Sequence, residues 1–140
     1  MRTHMLIALV AGLVCLTPRT SSAQTPALKA LMREKLAHSQ QLLGAMVTSN
    51  WAALEEHAVA LRKVTTRPAW AVLQSPEYAR QTLRFDRALD DLIAAARRKD
   101  LDEAPLAYTA VTLSCVQCHR HVARMRLADA SAPARGPAAR

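Results

Sequence analysis

The 140-residue chain is short of aromatics and glycine: it has one Phe, two Tyr, two Trp and three Gly. Strands are built from β-branched and aromatic side chains, so this composition argues against an all-β fold. The one sustained apolar run, Met5 to Leu16, falls short of the ~20 residues needed to span a bilayer. Three cysteines are an odd number and a poor basis for a disulfide framework. What is plentiful is Ala and Leu, at 28 and 19 residues, the side chains that favour helices most. With 51% of residues hydrophobic, intrinsic disorder is a poor description of the chain. The length suits one domain. Lys and Arg outnumber Asp and Glu by 19 to 11.

The N-terminus accounts for the odd cysteine. Arg2 is followed by the apolar run, then by Pro18 and the small residues Ser21, Ser22 and Ala23. This order describes a secretory signal peptide at residues 1–23, cleaved after Ala23. A lipid anchor on Cys15 is the rival, but Val14 before it is not small. The absence of a twin-Arg pair implies export in the unfolded state. Cleavage would remove Cys15, Arg2 and Arg19, leaving a periplasmic chain of net charge +6 with two cysteines, Cys115 and Cys118.

Four amphipathic segments follow. The first is expected from Pro26 to about Thr48, capped by Thr25, with Leu28, Met32, Leu36, Ser39, Leu43 and Met46 on one side at ~100° per residue. The second opens at Ser49-Asn50 and runs to about Thr65, presenting Leu54, His57, Ala58, Leu61 and Val64. A connector follows, in which Trp70 is expected to tuck beneath the helices. The third segment starts at Ser75-Pro76 and carries Tyr78, Thr82, Phe85, Leu89, Leu92 and Ala96. Asp100 and Glu103 have the spacing of a capping box for the fourth, which is expected to reach Leu127. Helices of this length with short links predict an all-α fold, an antiparallel four-helix bundle over residues 24–129. Residues 130–140, with Pro133, Gly136 and Pro137, read as a disordered basic tail.

The chemistry is concentrated in Cys115-Val-Gln-Cys118-His119. C-x-x-C-H is the attachment motif of c-type haem: two thiols meet two vinyl groups and the adjacent imidazole binds iron. On a helix the three residues share one arc, together with Tyr108, Val111 and Val122. The other readings are a redox dithiol, a zinc site using His119 and His121, and a plain disulfide. Against them stand the lack of a βαβ pattern, the lack of a second separated ligand pair, and the strain of a disulfide within one helical turn. The motif thus predicts one covalent haem c on Cys115 and Cys118, with His119 as proximal iron ligand. His57 is a candidate for a second imidazole ligand, and otherwise a hydrogen-bonded core residue. His38 and His121 are expected to face solvent, and Met46 to lie too far along its helix.

An exported four-helix domain with C-x-x-C-H on its last helix resembles cytochrome c′ and its low-spin, methionine-ligated relatives. The likeness runs from about Ala27 to Leu127. It rests on the late haem motif, on Leu31-Met32-Arg33-Glu34-Lys35-Leu36 and on Leu43-Gly44-Ala45-Met46. Ordinary small cytochromes c have the opposite order, with the motif early and a Met ligand late. The resemblance implies that the first-helix residue facing the iron decides function. An apolar one leaves five-coordinate iron that binds NO or CO, whereas a Met fills the sixth position. Met32 stands at that place, either as distal ligand or as core filler. Family members often carry an Arg four residues after the haem His, where this chain has Ala123.

The expectation is therefore an electron-transfer protein rather than an enzyme, with low-spin His119/Met32 haem; five-coordinate gas binding is the alternative. Its basic surface, including Arg80, Arg84, Arg87, Arg120, Arg124 and Arg126, suits an acidic redox partner or is simply solvated. A homodimer fits the family. Nucleic acid does not fit an exported chain without a stacking platform.

Overall fold

The computed structural model describes residues 26–71 and 73–131. The expected signal peptide, the Thr25 cap and residues 132–140 of the expected tail lie outside the described residues. Four helices are present and, among the described residues, no strand: α1 (Pro26–Val47), α2 (Trp51–Val64), α3 (Pro76–Arg98) and α4 (Glu103–Ser131). A single 3-10 turn, Pro68–Trp70, lies between α2 and α3. Three helix bounds fall within two residues of the sequence expectation. The fourth helix runs on past Leu127 to Ser131, taking in Ala130 of the expected tail.

Local chemistry sets the helix ends. Asn50 caps α2, its side-chain oxygen accepting from the Ala53 amide at 3.2 Å, and Ser75 caps α3 through the Tyr78 amide at 3.1 Å. Two turns use left-handed residues that are not glycine, Ser49 (φ 54°) and Lys99 (φ 56°). The next amide in each turn reaches back to a helix carbonyl, Asn50 to Ala45 at 2.8 Å and Asp100 to Ala95 at 3.0 Å. The Asp100 side chain accepts from the amides of residues 102 and 103. Glu103 does not complete the expected capping box, because its carboxylate is paired with Arg98 instead.

Pairings between helices fix their directions. Glu34 on α1 meets Arg67 just beyond α2, and His38 on α1 meets His57 on α2. Glu55 meets Arg97, and Arg62 meets Asp86 and Asp90 across α2 and α3. Lys35 lies by Cys115, and the Tyr108 hydroxyl points to the Ser39 carbonyl across α1 and α4. In each case one index rises as the other falls, so these neighbours run antiparallel. Exposed ion pairs of this kind contribute at most about 1 kcal/mol each; they record the register rather than hold it. The core holds it. Leu31, Leu42, Leu54, Leu61, Leu89 and Leu92 are fully buried, and burying each leucine contributes about 1.5–3 kcal/mol.

The expected position of Trp70 is found. Its ring is buried and stacks on Phe85 with centroids 5.9 Å apart. Its indole N–H donates to the Thr82 hydroxyl at 3.0 Å. The Tyr78 hydroxyl donates to the Trp70 carbonyl at 2.5 Å, which ties the connector to α3. Burial pushes the Tyr78 hydroxyl up to about 12, with a smaller part from Cys118 beside it. An unfolded phenol ionises near pH ~10. The folded state is therefore favoured below pH ~10 and loses that advantage as pH rises towards about 12. Tyr78→Phe should cost about 1–2 kcal/mol in urea denaturation at neutral pH by leaving the Trp70 carbonyl unpaired. It should also flatten the alkaline fall in stability; an unchanged fall would assign that loss to other groups.

Candidate functional site

The helical arc predicted for the haem motif is present on α4. Val111 and Ser114 are buried, Cys115 and Cys118 are half-buried, and His119 is exposed at the edge. Both cysteines are free. Tyr108 and Val122, expected on the same arc, are partly buried against the core.

On α1 the buried side differs from the one predicted. Leu28, Leu31, Lys35, Leu42 and Ala45 are buried, whereas Leu36 is 59% and Leu43 48% exposed. Met32, Ser39 and Met46 are half-buried. The apolar stripe of α1 is wider than one contact face, and the helix is turned so that its other edge packs on the neighbouring helices. The edge picked out by Met32, Leu36, Ser39 and Leu43 faces α4 across a gap.

That gap is an apolar groove of about 340 Å³. Met32, Lys35, Leu36, Ser39 and Leu43 line it from α1; Tyr108, Val111, Cys115, Val116 and His119 line it from α4. The site thus opens on the surface between two helices rather than into the middle of the bundle. Cys118 is not in its lining: it turns towards the core, where its thiol is influenced by Lys35 and in turn acts on Tyr78. Burial pushes the Cys118 thiol up, while the Lys35 charge opposes that rise. Partial burial, and then the Lys35 charge, hold the His119 imidazole below its usual range. The neutral ring, the form that ligates metal, is favoured as a result.

Lys35 had no place in the sequence reading and is the most unusual residue here. It is buried, with its Nζ 3.7 Å from the centroid of Phe85 and 4.6 Å from that of Trp70. The signal was available: Leu31, Lys35, Leu42 and Ala45 form a second helical stripe beside the one containing Met32. A charged residue on an apolar stripe is ordinarily assigned to the solvent side, which hid it.

Of the remaining histidines, His57 takes the hydrogen-bonded place that was its other reading, while His38 and His121 depart from expectation. His57 does not reach the groove; its Nδ1 lies 3.1 Å from Nδ1 of His38. His38 is accordingly half-buried and paired rather than facing solvent. His121 is also partly buried, with its Nε2 enclosed and no hydrogen-bond partner. It lies towards the start of α3, where Glu77 is held below its usual range by hydrogen bonds from Arg80 and Gln81, with His121 a smaller influence. Met46, as expected, is not among the groove residues; it packs against the core.

These positions weigh on the competing chemistries. Among the described residues no three His, Cys, Asp or Glu side chains gather to hold a metal ion, which leaves the zinc reading without a ligand set. The donors of the groove, a thiol, an imidazole and a thioether between apolar walls, suit a large apolar group that carries its own metal. Comparison with protein-family models, curated proteins and solved structures finds no match.

Burial is the first cause of the lowered Lys35 pKa, ahead of the attractions to Cys115, Cys118 and Asp86. A cation over aromatic rings gains up to about 2 kcal/mol when desolvated, which offsets part of the cost of that burial. Lys35→Met keeps the stem and removes the charge. Its stability in urea denaturation should equal the parent's or exceed it by about 1 kcal/mol. A loss of about 2 kcal/mol or more would mean that the ring contact outweighs burial.

Proposed function

We propose that the chain is a periplasmic c-type cytochrome that transfers single electrons, with one haem c bound in the groove between α1 and α4. The observation that carries this is a shared groove: Met32 lines it from α1, while Cys115 and His119 of the C-x-x-C-H motif line it from α4. When bound, haem c supplies a one-electron ferric/ferrous couple. In this reading Cys115 and Cys118 would hold the group through thioethers. His119 would supply an imidazole nitrogen to the iron and Met32 a thioether sulfur, a donor that favours the ferrous state. Leu36, Leu43 and Val116 exclude water from the faces of the group, and each gains about 1–2 kcal/mol on being covered.

The surface agrees with a protein partner. Arg120, Arg124 and Arg126 follow the motif on α4 and have no carboxylate partner among the described side chains. By contrast Arg62, Arg67, Arg80, Arg97 and Arg98 are all paired. Positive charge on α4 beyond the motif would steer an acidic redox partner. No helix among the described residues is long and apolar enough to cross a membrane.

Expressed with a haem-attachment system, the denatured parent should keep the mass of one haem, and the Cys115→Ser/Cys118→Ser double variant none. The parent should be low-spin when ferric, with the long-wavelength charge-transfer band of methionine ligation. Met32→Ala should become high-spin and bind CO in the ferrous state. A parent that is already high-spin and unaltered by Met32→Ala would replace electron transfer by five-coordinate binding of NO or CO. A parent with no covalent haem would overturn the reading altogether.

A further inference from the structure

The His38–His57 pair lies outside the groove and has no part in the proposed electron transfer. It joins α1 to α2 where both rings are half-buried, with Nδ1 atoms 3.1 Å apart and ring centroids 5.3 Å apart at a 45° tilt. As a hydrogen bond this contact uses one ring as donor and the other as acceptor. The separation also has a second meaning. Two nitrogens 3.1 Å apart, each ~2.0–2.1 Å from a common metal, subtend an angle of about 100° at it. That value lies between the ~90° of a tetragonal site and the ~109° of a tetrahedral one.

We infer that His38 and His57 form a two-imidazole chelate for a divalent transition metal, with Cu2+ preferred to Zn2+ and with water in the remaining positions. Two features set the rings in place beforehand. Leu31, Leu42, Leu54 and Ala58, fully or almost fully buried, lock α1 against α2 on both sides of the pair. The Asn50 cap and the Asn50–Ala45 backbone bond fix the turn that joins the two helices. Little ordering entropy is then left to lose when the metal arrives. Coordination needs both Nδ1 lone pairs free. The one proton shared between them moves to the Nε2 of its own ring, so neutral imidazoles bind without net proton release. Imidazole suits both metals, and affinity for a given nitrogen site rises to its maximum at Cu2+. With only two protein ligands the site is exchangeable, as befits a chain that picks up free metal outside the cytoplasm.

The test is titration of Cu2+ alone into the purified full chain against a competing chelator, counting sites and their affinities. Free Cys115 and Cys118 thiols would reduce Cu2+ and be oxidised to a disulfide, so parent and histidine variants are compared in the Cys115→Ser/Cys118→Ser background. His38→Gln and His57→Gln should each lose one site, or weaken one at least tenfold, while His121→Gln keeps the parent's count. The helical circular dichroism of each Gln variant should equal that of the parent. His57→Asn provides a second substitution at the same position and should also lose the site. Equal binding by the parent, His38→Gln and His57→Gln would overturn the inference, as would a parent with no Cu2+ site lost on either substitution.

Discussion

The rotation of α1 about its own axis governs the rest of the molecule. The helix carries two apolar stripes side by side, and only one can face the other helices. Leu31, Leu42 and Ala45 take that place with Lys35 among them, which leaves Met32, Leu36 and Leu43 along the gap to α4. Had the helix turned by one residue, about 100°, those three would fill the core and the groove would be lost. The core therefore accepts a buried ammonium in order to leave an apolar wall unburied. In a free-standing bundle that exchange is unfavourable twice over: desolvating a charge costs energy, and exposed leucines forgo their burial energy. Such an arrangement is stable in its own right only through the other contacts of the bundle, and it gains whenever an apolar group fills the gap.

The aromatic cluster makes the rotation possible. Trp70, Tyr78 and Phe85 gather at one level, joined by the bonds from Tyr78 to the Trp70 carbonyl and from Trp70 to Thr82. Lys35 lies over two of those rings. A ring face offers negative potential to a cation and partly offsets its lost hydration. The same ammonium reaches the cysteine side of α4, where it opposes the rise of the Cys118 pKa and helps keep His119 neutral. One side chain thus links the connector after α2, the first helix and the motif on the fourth.

Most of the fold was legible in the sequence because its signals are local. Proline after a capping Ser, Asn50 before Trp51 and the charge reversal at Arg97-Arg98-Lys99-Asp100 mark helix ends without reference to the tertiary structure. The faces of α2 and α3 were legible for the same reason: each has one apolar stripe, and it packs. The face of α1 was not, since periodicity locates a stripe but cannot choose between two adjacent ones. Met32, Cys115 and His119, singled out in the sequence, do line one groove, whereas Cys118 turns to the core and the groove itself was not legible. A surface groove depends on how far apart α1 and α4 stand, a distance absent from either helix alone. His38 and His121 are more buried than expected because a polar residue on a helix flank is assigned to solvent unless its partner is known. For His38 that partner, His57, is nineteen residues away.

The distribution of the few aromatics bears on what the groove can hold. Three of the five are spent on the cluster beneath Lys35, and Trp51 lies at the start of α2. Tyr108 alone stands in the groove, with its hydroxyl towards the Ser39 carbonyl. The rest of the lining consists of Met32, Lys35, Cys115, His119 and aliphatic and small polar side chains. Tyr108 bridges the two helices at that one point, while Leu36, Leu43 and Val116 stay exposed along the rest of the gap. The helices could close it only by moving together, and on the buried side Lys35 and Val111 already stand between them. An apolar body that entered the seam would cover the exposed leucines along it and would meet a thiol and an imidazole at its edge.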